Sequence, residues 1–203
     1  MQTAFKIQPF DLNAFFEAEL QEHQEVAKAT RANLEQPFIE WVEAAAESLS
    51  KGGKLIFIGN GGSAADAQHL ATEFTVRYRQ NRRPMAALAL TTDTSTLTAI
   101  GNDFGFNDLF SRQVEALAGP HDLLIAITTS GKSPNIIEAL KKAKSLGVKT
   151  VGLTGNTGGD LPELSDILLV VPSKTTSRIQ EMHIMLGQML CGALEYRMGL
   201  IEG

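Results

Sequence analysis

The sequence predicts an α/β fold, a doubly wound three-layer sandwich in which a central parallel sheet is flanked by helices. Five short apolar runs rich in branched residues have the length of strands buried on both faces of such a sheet. Helical stretches alternate with several of them, which is typical of βαβ units. The runs are 54–58, 85–90, 123–127, 150–153 and 167–171, and the intervening helices are 63–80, 108–117 and 133–145.

Amphipathic segments flank this core at both ends of the chain. Residues 11–33 and 37–50 are predicted to form an N-terminal helical hairpin, which stops at the glycines that follow it. A long helix is predicted over 176–198, and its methionines and leucines are interpreted as core or subunit interface. We interpret the chain as one domain over 1–203, with N-terminal helices in 1–51 and the α/β core plus C-terminal helix in 52–203.

Composition excludes several classes of protein. With 18 Lys and Arg against 23 Asp and Glu, the net charge of -5 argues against a nucleic-acid or anionic-membrane partner. The single cysteine, Cys191, excludes an internal disulfide framework and a Cys-rich zinc site, and it fits a reducing cytoplasm. Neither a signal peptide nor an apolar run of about 18 residues is found, so no membrane span is expected.

Two loops follow predicted strands at the edge where parallel sheets bind ligands. The first, Gly59-Asn60-Gly61-Gly62-Ser63, opens a helix whose free N–H groups and dipole favour an anion. The second, Thr128-Thr129-Ser130-Gly131-Lys132-Ser133, places hydroxyl groups around one glycine. Either loop alone could be a tight turn with a serine N-cap, but two in one sheet indicate a phosphorylated ligand.

Two nucleotide-binding motifs are matched only in part. A Walker A loop needs a glycine five residues before Gly131, where this chain has Ala126, so a nucleotide kinase is not expected. Gly59, Gly61 and Ala64 fit a dinucleotide fingerprint, but the acidic residue expected about 20 positions later is missing. A nicotinamide-cofactor protein stays an alternative.

The helix after the first loop carries an ionisable stripe. At about 100° per residue, one face presents Asp66, His69, Glu73 and Arg77. A histidine and a glutamate spaced i,i+4 can jointly hold a divalent metal, as in helical zinc sites. The alternative is a solvated face with an ordinary His–Glu pair.

Six segments carry a family resemblance. They are 59–69 (GNGGSAADAQH), 90–95 (LTTDTS), 99–105 (AIGNDFG), 110–117 (FSRQVEAL), 129–135 (TSGKSPN) and 178–183 (RIQEMH). Together they resemble the sugar isomerase (SIS) domain proteins, and within these the phosphoheptose isomerases, over nearly the whole chain. The resemblance implies an SIS-type sandwich and a homotetramer in which the helices of 1–51 take part in oligomerisation.

The resemblance also implies a reaction and its site. The reaction is an enediolate isomerisation of a phosphorylated seven-carbon sugar, sedoheptulose 7-phosphate, to D-glycero-D-manno-heptose 7-phosphate for bacterial lipopolysaccharide precursors. Implied sugar contacts are Asn60, Gly61, Gly62, Ser63, Asn102 and Asp103. Implied phosphate contacts are Thr128, Thr129, Ser130 and Ser133. Implied Zn²⁺ ligands are His69, Glu73 and Gln180, of which Glu73 and Gln180 also contact substrate.

Glu73 is the expected base, taking a proton from the carbon next to the carbonyl. Asp66 and Asp103 are candidates for positioning hydroxyls or for the acid, and a helix-face or N-cap role is their alternative.

One position departs from the family pattern. The fourth zinc ligand of the family is a histidine eight residues after the glutamine, where this chain has Gln188. His183 is not expected to replace it, because positions 183 and 188 point about 140° apart around a helix. A glutamine carbonyl can still coordinate zinc but cannot transfer a proton near pH 7, so Gln188 is kept as a candidate ligand.

The departure leaves a second function open. A sister branch, the replication-initiator-associating proteins, resembles this chain, lacks the same histidine and acts as a non-catalytic adaptor. That branch also departs at the first loop and at the metal-binding glutamate, whereas this chain keeps Gly59–Ser63 and Glu73.

Overall fold

The computed structural model describes residues 5–201. Within this range the strands are β1 (Leu55–Gly59), β2 (Ala87–Ala89), β3 (Leu123–Ile127), β4 (Lys149–Gly155) and β5 (Ile167–Val171). The α-helices are α1 (Leu12–Asn33), α2 (Glu35–Ser50), α3 (Gly62–Thr75), α4 (Thr94–Asp103), α5 (Ser111–Leu117), α6 (Pro134–Ser145) and α7 (Thr176–Arg197). Short 3₁₀ turns occur at Phe106–Asp108 and Leu161–Glu163.

The five strands form one parallel sheet in the order β2-β1-β3-β4-β5. From β1 the chain moves outward to β2, and it then crosses back to place β3 on the other side of β1. The winding direction therefore reverses between β1 and β3. In open parallel sheets, ligands bind in the crevice beyond the carboxyl ends of the two strands at such a reversal.

Helices cover both faces of the sheet, which confirms the predicted α/β sandwich. Alternate residues of β1 point to opposite faces. Leu55 and Phe57 pack with side chains of α2, α3 and α7, including the fully buried Trp41. Ile56 and Ile58 pack with side chains of α4, α5 and α6.

Some elements differ from the predictions. Helix α3, predicted over 63–80, ends at Thr75, because the chain turns away at Val76 (φ -104°, ψ -84°). The predicted strand 85–90 is reduced to the three residues of β2. Helix α4 was not predicted, since its run of threonines has low intrinsic helix propensity. It begins after Asp93, whose carboxylate accepts the backbone N–H of Thr96 at 3.0 Å.

The N-terminal helices differ in burial. Helix α2 lies against the sheet, whereas α1 buries only Val26 and Thr30. Pro37 lies in the first turn of α2, where its missing N–H has no helical partner to lose. None of the helices described in residues 5–201 has the length and apolar character needed to cross a bilayer.

Candidate active site

The two predicted loops lie side by side at the crevice. In the sheet register, the last residue of β1, Gly59, pairs with the last residue of β3, Ile127. The side-chain amides of Asn60 and Asn135 join the loops, because each Nδ2 donates to the other residue's Oδ1 at 2.8 Å. Sequence reasoning assigned no role to Asn135, although it closes the segment 129–135.

In the first loop, glycine supplies the helix start. Gly61 is the N-cap of α3 at φ 55° and ψ -120°, a backbone region that favours glycine. Ser63 is buried in the first turn, so the interpretation of Ser63 as an N-cap is wrong. The first N–H groups of a helix lack intrahelical acceptors and face the loop, where an anion can accept them.

The second loop is held in shape by glycine contacts. Gly131 has φ 65°, and a Cβ built there would lie 2.1 Å from the carbonyl oxygen of Gly158. Ser130 Oγ accepts the backbone N–H of Lys132 at 3.2 Å. Ser133 is the N-cap residue of α6, as the alternative interpretation of this loop expects, but its hydroxyl makes no capping hydrogen bond. This hydroxyl is therefore available to a ligand.

The ionisable stripe on α3 is shorter than predicted. His69 Nε2 lies 3.2 Å from Glu73 Oε1, and the two side chains are 46% and 24% exposed. Burial raises the pKa of the half-buried Asp66, and the charge of His69 opposes this shift. The placement of Arg77 on the same helical face is wrong, because α3 ends at Thr75.

Helix α7 meets α3 through two close approaches at glycine. A Cβ on Gly62 would lie 2.5 Å from Nε2 of Gln180, and one on Gly187 would lie 2.5 Å from Leu70 Cδ1. The resulting close packing places Nε2 of Gln188 3.5 Å from Nε2 of His69. Gln180 therefore lies at the first loop, and Gln188 lies beside the His69–Glu73 pair.

His183 points into the core. Its ring Nε2 lies 3.1 Å from the carbonyl oxygen of Thr154 in β4, and burial lowers its pKa to about 4. The expectation that His183 does not take the place of residue 188 is confirmed.

Asn102 and Asp103 end helix α4. The Asn102 amide donates to Asp103 Oδ1 at 2.7 Å, and both residues are exposed. The N-cap interpretation of Asp103 is wrong, because it is the last residue of the helix and Asp93 is the cap. Since α4 follows β2, the pair comes from the side of β1 opposite to the second loop.

The donor set near His69 fits zinc in chemical type. Zinc binds imidazole nitrogen and carboxylate oxygen, which His69 and Glu73 offer at neighbouring positions. The Gln188 amide presents nitrogen towards His69, and a half-turn about its last bond presents the carbonyl oxygen instead. In residues 5–201 no three His, Cys, Asp or Glu side chains form a cluster that could hold a metal ion.

Comparison with known proteins identifies the family of the chain. The SIS domain family model matches residues 20–155. The phosphoheptose isomerase of Paramagnetospirillum magneticum is 54% identical over 181 residues, covering 89% of this chain and 94% of that protein. Phosphoheptose isomerase 1 of Campylobacter jejuni is 54% identical over 179 residues, covering 88% and 96%.

Solved structures give the same result. The phosphoheptose isomerase of Neisseria gonorrhoeae matches with a TM-score of 0.87 at 42% identity, over 92% of this chain and 100% of that chain. The Francisella tularensis enzyme of the same name matches with a TM-score of 0.89 at 34% identity, over the same shares of the two chains. The chain therefore belongs to the phosphoheptose isomerase family of SIS-domain proteins.

Proposed function

We propose that this chain interconverts sedoheptulose 7-phosphate and D-glycero-D-manno-heptose 7-phosphate. The observation that carries the proposal is the arrangement of two helix-opening loops at neighbouring strand ends, with α7 placing Gln180 at the first loop and Gln188 beside the His69–Glu73 pair. Family membership supports the substrate class, because the relatives are named phosphoheptose isomerases. The product would supply heptose for lipopolysaccharide precursors.

The phosphate would bind at the second loop. Ser130, Ser133 and the buried Thr128 offer hydroxyl donors there, together with Thr129. The positive end of the α6 dipole adds to them, since Ser133 immediately precedes this 12-residue helix. The sugar would then extend towards the first loop, where Asn60, Gly61, Gly62 and Ser63 lie.

Glu73 would start the reaction as the base. Its carboxylate takes a proton from C1 of the ketose, and the electron pair of that C–H bond forms the C1–C2 double bond of an enediolate. The charge develops on the former carbonyl oxygen at C2. Return of the proton to C2 and loss of the O1 proton give the aldose.

Asp66 would move the proton between the two oxygens. It lies on α3 near His69, and its burial-raised pKa suits a carboxyl group that must both hold and release a proton. Asp103 would position a sugar hydroxyl from the β2 side of the crevice, together with Asn102.

Zn²⁺ is the proposed cofactor. His69 and Glu73 would hold it, with the amide carbonyls of Gln180 and Gln188 as additional ligands. When bound, the ion supplies positive charge that stabilises the oxygen on which negative charge develops. The short His69–Glu73 distance and the adjacent Gln188 amide support this assignment.

A homotetramer is the proposed assembly. Large apolar side chains stand exposed on α1 and near its start, which suits burial by other copies of the chain. These side chains are Phe10, Leu12, Phe15, Phe16 and Leu20. The acidic net charge of -5 supports a protein that binds neither nucleic acid nor membrane, and the single cysteine supports a cytoplasmic location.

The direct test is turnover of sedoheptulose 7-phosphate by the purified chain, with and without added zinc, followed as aldose formation. Glu73→Gln should lower kcat by about 10²- to 10⁴-fold, the range for a positioned base. The exposed Glu43→Gln is the matched control and should turn over like wild type. Chelation should also abolish turnover.

The same experiment separates the alternatives. Absence of turnover with tight binding to a replication initiator would support the adaptor, which the Gln188 departure favours. Co-purification of a nicotinamide cofactor would contradict both readings.

A further inference from the structure

The reciprocal amide pair of Asn60 and Asn135 joins the first loop to the start of α6, the helix that follows the second loop. Asn60 directly follows β1, and Asn135 lies in the first turn of α6, two residues after Ser133. The pair therefore spans the reversal point of the sheet, between the proposed sugar side and the proposed phosphate side of the crevice.

The pair fixes how Asn60 presents its amide. Each amide uses one N–H and one carbonyl lone pair on the other, so flipping either side chain would set N–H against N–H and oxygen against oxygen. Asn60, which is half-buried, keeps its second N–H and second lone pair for a ligand. Because Asn135 fixes the orientation of the Asn60 amide, it also fixes the directions in which this second N–H and second lone pair point.

Asn135 itself cannot serve as an exposed ligand contact. Only 1% of its surface is exposed, and it lies next to Pro134 in a helix whose first turn is fixed by that ring. A buried amide is costly unless its hydrogen bonds are made, and Asn60 provides them. The rigid partner is Asn135, and the oriented partner is Asn60.

We propose that Asn135 is a positioning residue that orients Asn60 and holds the sugar-binding loop in register with the phosphate-binding loop. This inference rests on the proposed function, because it assigns the sugar end of the substrate to Asn60. Loss of the amide pair should therefore weaken recognition of the sugar part of the substrate while leaving phosphate binding intact.

The experiment compares two probes, inorganic phosphate and sedoheptulose 7-phosphate, by calorimetry and by turnover. In Asn135→Leu, the affinity for inorganic phosphate should stay within about 2-fold of wild type, because the loop hydroxyls remain. The kcat/KM for the sugar phosphate should fall by about 10- to 100-fold, the expected effect of a misplaced contact. Asn33→Leu, an exposed position at the end of α1, is the matched control.

A double-variant cycle tests the route of the effect. If Asn135 acts through Asn60, then Asn60→Leu combined with Asn135→Leu should lose no more kcat/KM than Asn60→Leu alone. Additive losses would overturn the proposal, and so would an equal loss of phosphate affinity in Asn135→Leu. If that variant does not fold, Asn135→Ala carries the same expectations.

The two proposals fail in different ways. Failure of the wild-type chain to bind or convert sedoheptulose 7-phosphate would contradict the proposed function. If folded Asn135→Leu or Asn135→Ala converted the sugar phosphate as fast as the wild-type chain does, only the positioning role would be contradicted.

Discussion

The guanidinium Nε of Arg82 lies 2.9 Å from Glu195 Oε1, and both side chains are fully buried. The same guanidinium donates to the carbonyl oxygens of Glu73 at 2.7 Å and Phe74 at 2.8 Å, at the end of α3. Since Glu195 belongs to α7, the Arg82 guanidinium, through its ion pair and its two hydrogen bonds to α3, links the helices that carry His69, Glu73 and Gln188.

Arg82→Met should destabilise the chain by about 3–5 kcal/mol, because it leaves the Glu195 carboxylate buried without its partner. Urea unfolding measures this change in the free energy of unfolding. Arg79→Met, at an exposed position nearby, should change it by less than about 0.5 kcal/mol.

The double variant Arg82→Met with Glu195→Met should recover most of the loss, since apolar replacement of a whole buried pair is often nearly neutral. Glu195 Oε2 has no hydrogen-bond partner among the residues that the structure describes, which favours this recovery. A double variant as unstable as Arg82→Met would show that the guanidinium contacts with α3, and not the ion pair, carry the stability.

Acid should destabilise the chain through His183. Burial lowers the pKa of this histidine from 6.5 to about 4 in the folded chain, whereas the unfolded chain keeps the ordinary value. Between these pH values the unfolded state binds more protons, so stability falls as the pH falls, by up to about 1.4 kcal/mol per pH unit. Above pH 6.5 both states are neutral and this contribution is constant.

The measurement is the free energy of unfolding of wild type and His183→Gln between pH 7 and pH 4. The variant should show a shallower slope over this window, because a glutamine does not titrate. His121→Gln, at an exposed position, should keep the wild-type slope. Equal slopes in all three proteins would contradict the assignment.

The two serines of the second loop should respond differently to replacement by alanine. Ser133→Ala should weaken inorganic phosphate binding by about 1–2 kcal/mol, as for a lost hydrogen bond to a charged group, and leave stability unchanged because the hydroxyl caps nothing. Ser130→Ala should lower both the phosphate affinity and the stability of the chain, since Ser130 Oγ also accepts the Lys132 N–H.

Ser145→Ala, at the other end of α6, is the control for phosphate titrations. Unchanged phosphate affinity after removal of both Ser130 and Ser133 hydroxyls would show that the second loop is only a turn.

The sequence predicted those elements of the fold whose bounds depend on neighbouring residues. The strands 123–127 and 167–171 are confirmed residue for residue, because buried parallel strands are short, apolar and bounded by turns. The end of α3 was missed because its last carbonyls are taken by Arg82, which follows in the chain and is then buried. An arginine side chain is usually exposed to solvent, so the sequence does not indicate the burial of Arg82. That burial depends on the ion pair with Glu195, which is distant in the sequence.

The candidate site also has features that depend on neighbouring residues and features that depend on distant ones. The loop glycines and the i,i+4 spacing of His69 and Glu73 are local, and the sequence indicates both. The pairing of Asn60 with Asn135 joins positions 75 residues apart and depends on strand order, which periodicity does not determine. The contact of Gln188 with His69 likewise requires the close approach of Gly187 to Leu70.

Gln188→His gives opposite outcomes for the two functions. An imidazole placed where the Gln188 amide meets His69 would add a third strong ligand to His69 and Glu73. If the chain is an isomerase, the change should raise its zinc affinity, measured by titration against a competing chelator. It should also raise turnover by up to about 10²- to 10⁴-fold, the range for a positioned acid or base.

Met189→His is the matched control for this change, because it adds an imidazole at the exposed neighbouring position of α7. It should alter neither zinc affinity nor turnover. In an adaptor with a relic pocket, Gln188→His should leave turnover undetectable, because one side chain cannot rebuild a substrate geometry that has been lost. Unchanged zinc affinity together with high wild-type turnover would place residue 188 outside the metal ligands, and the 3.5 Å approach of its amide to His69 would then be packing alone.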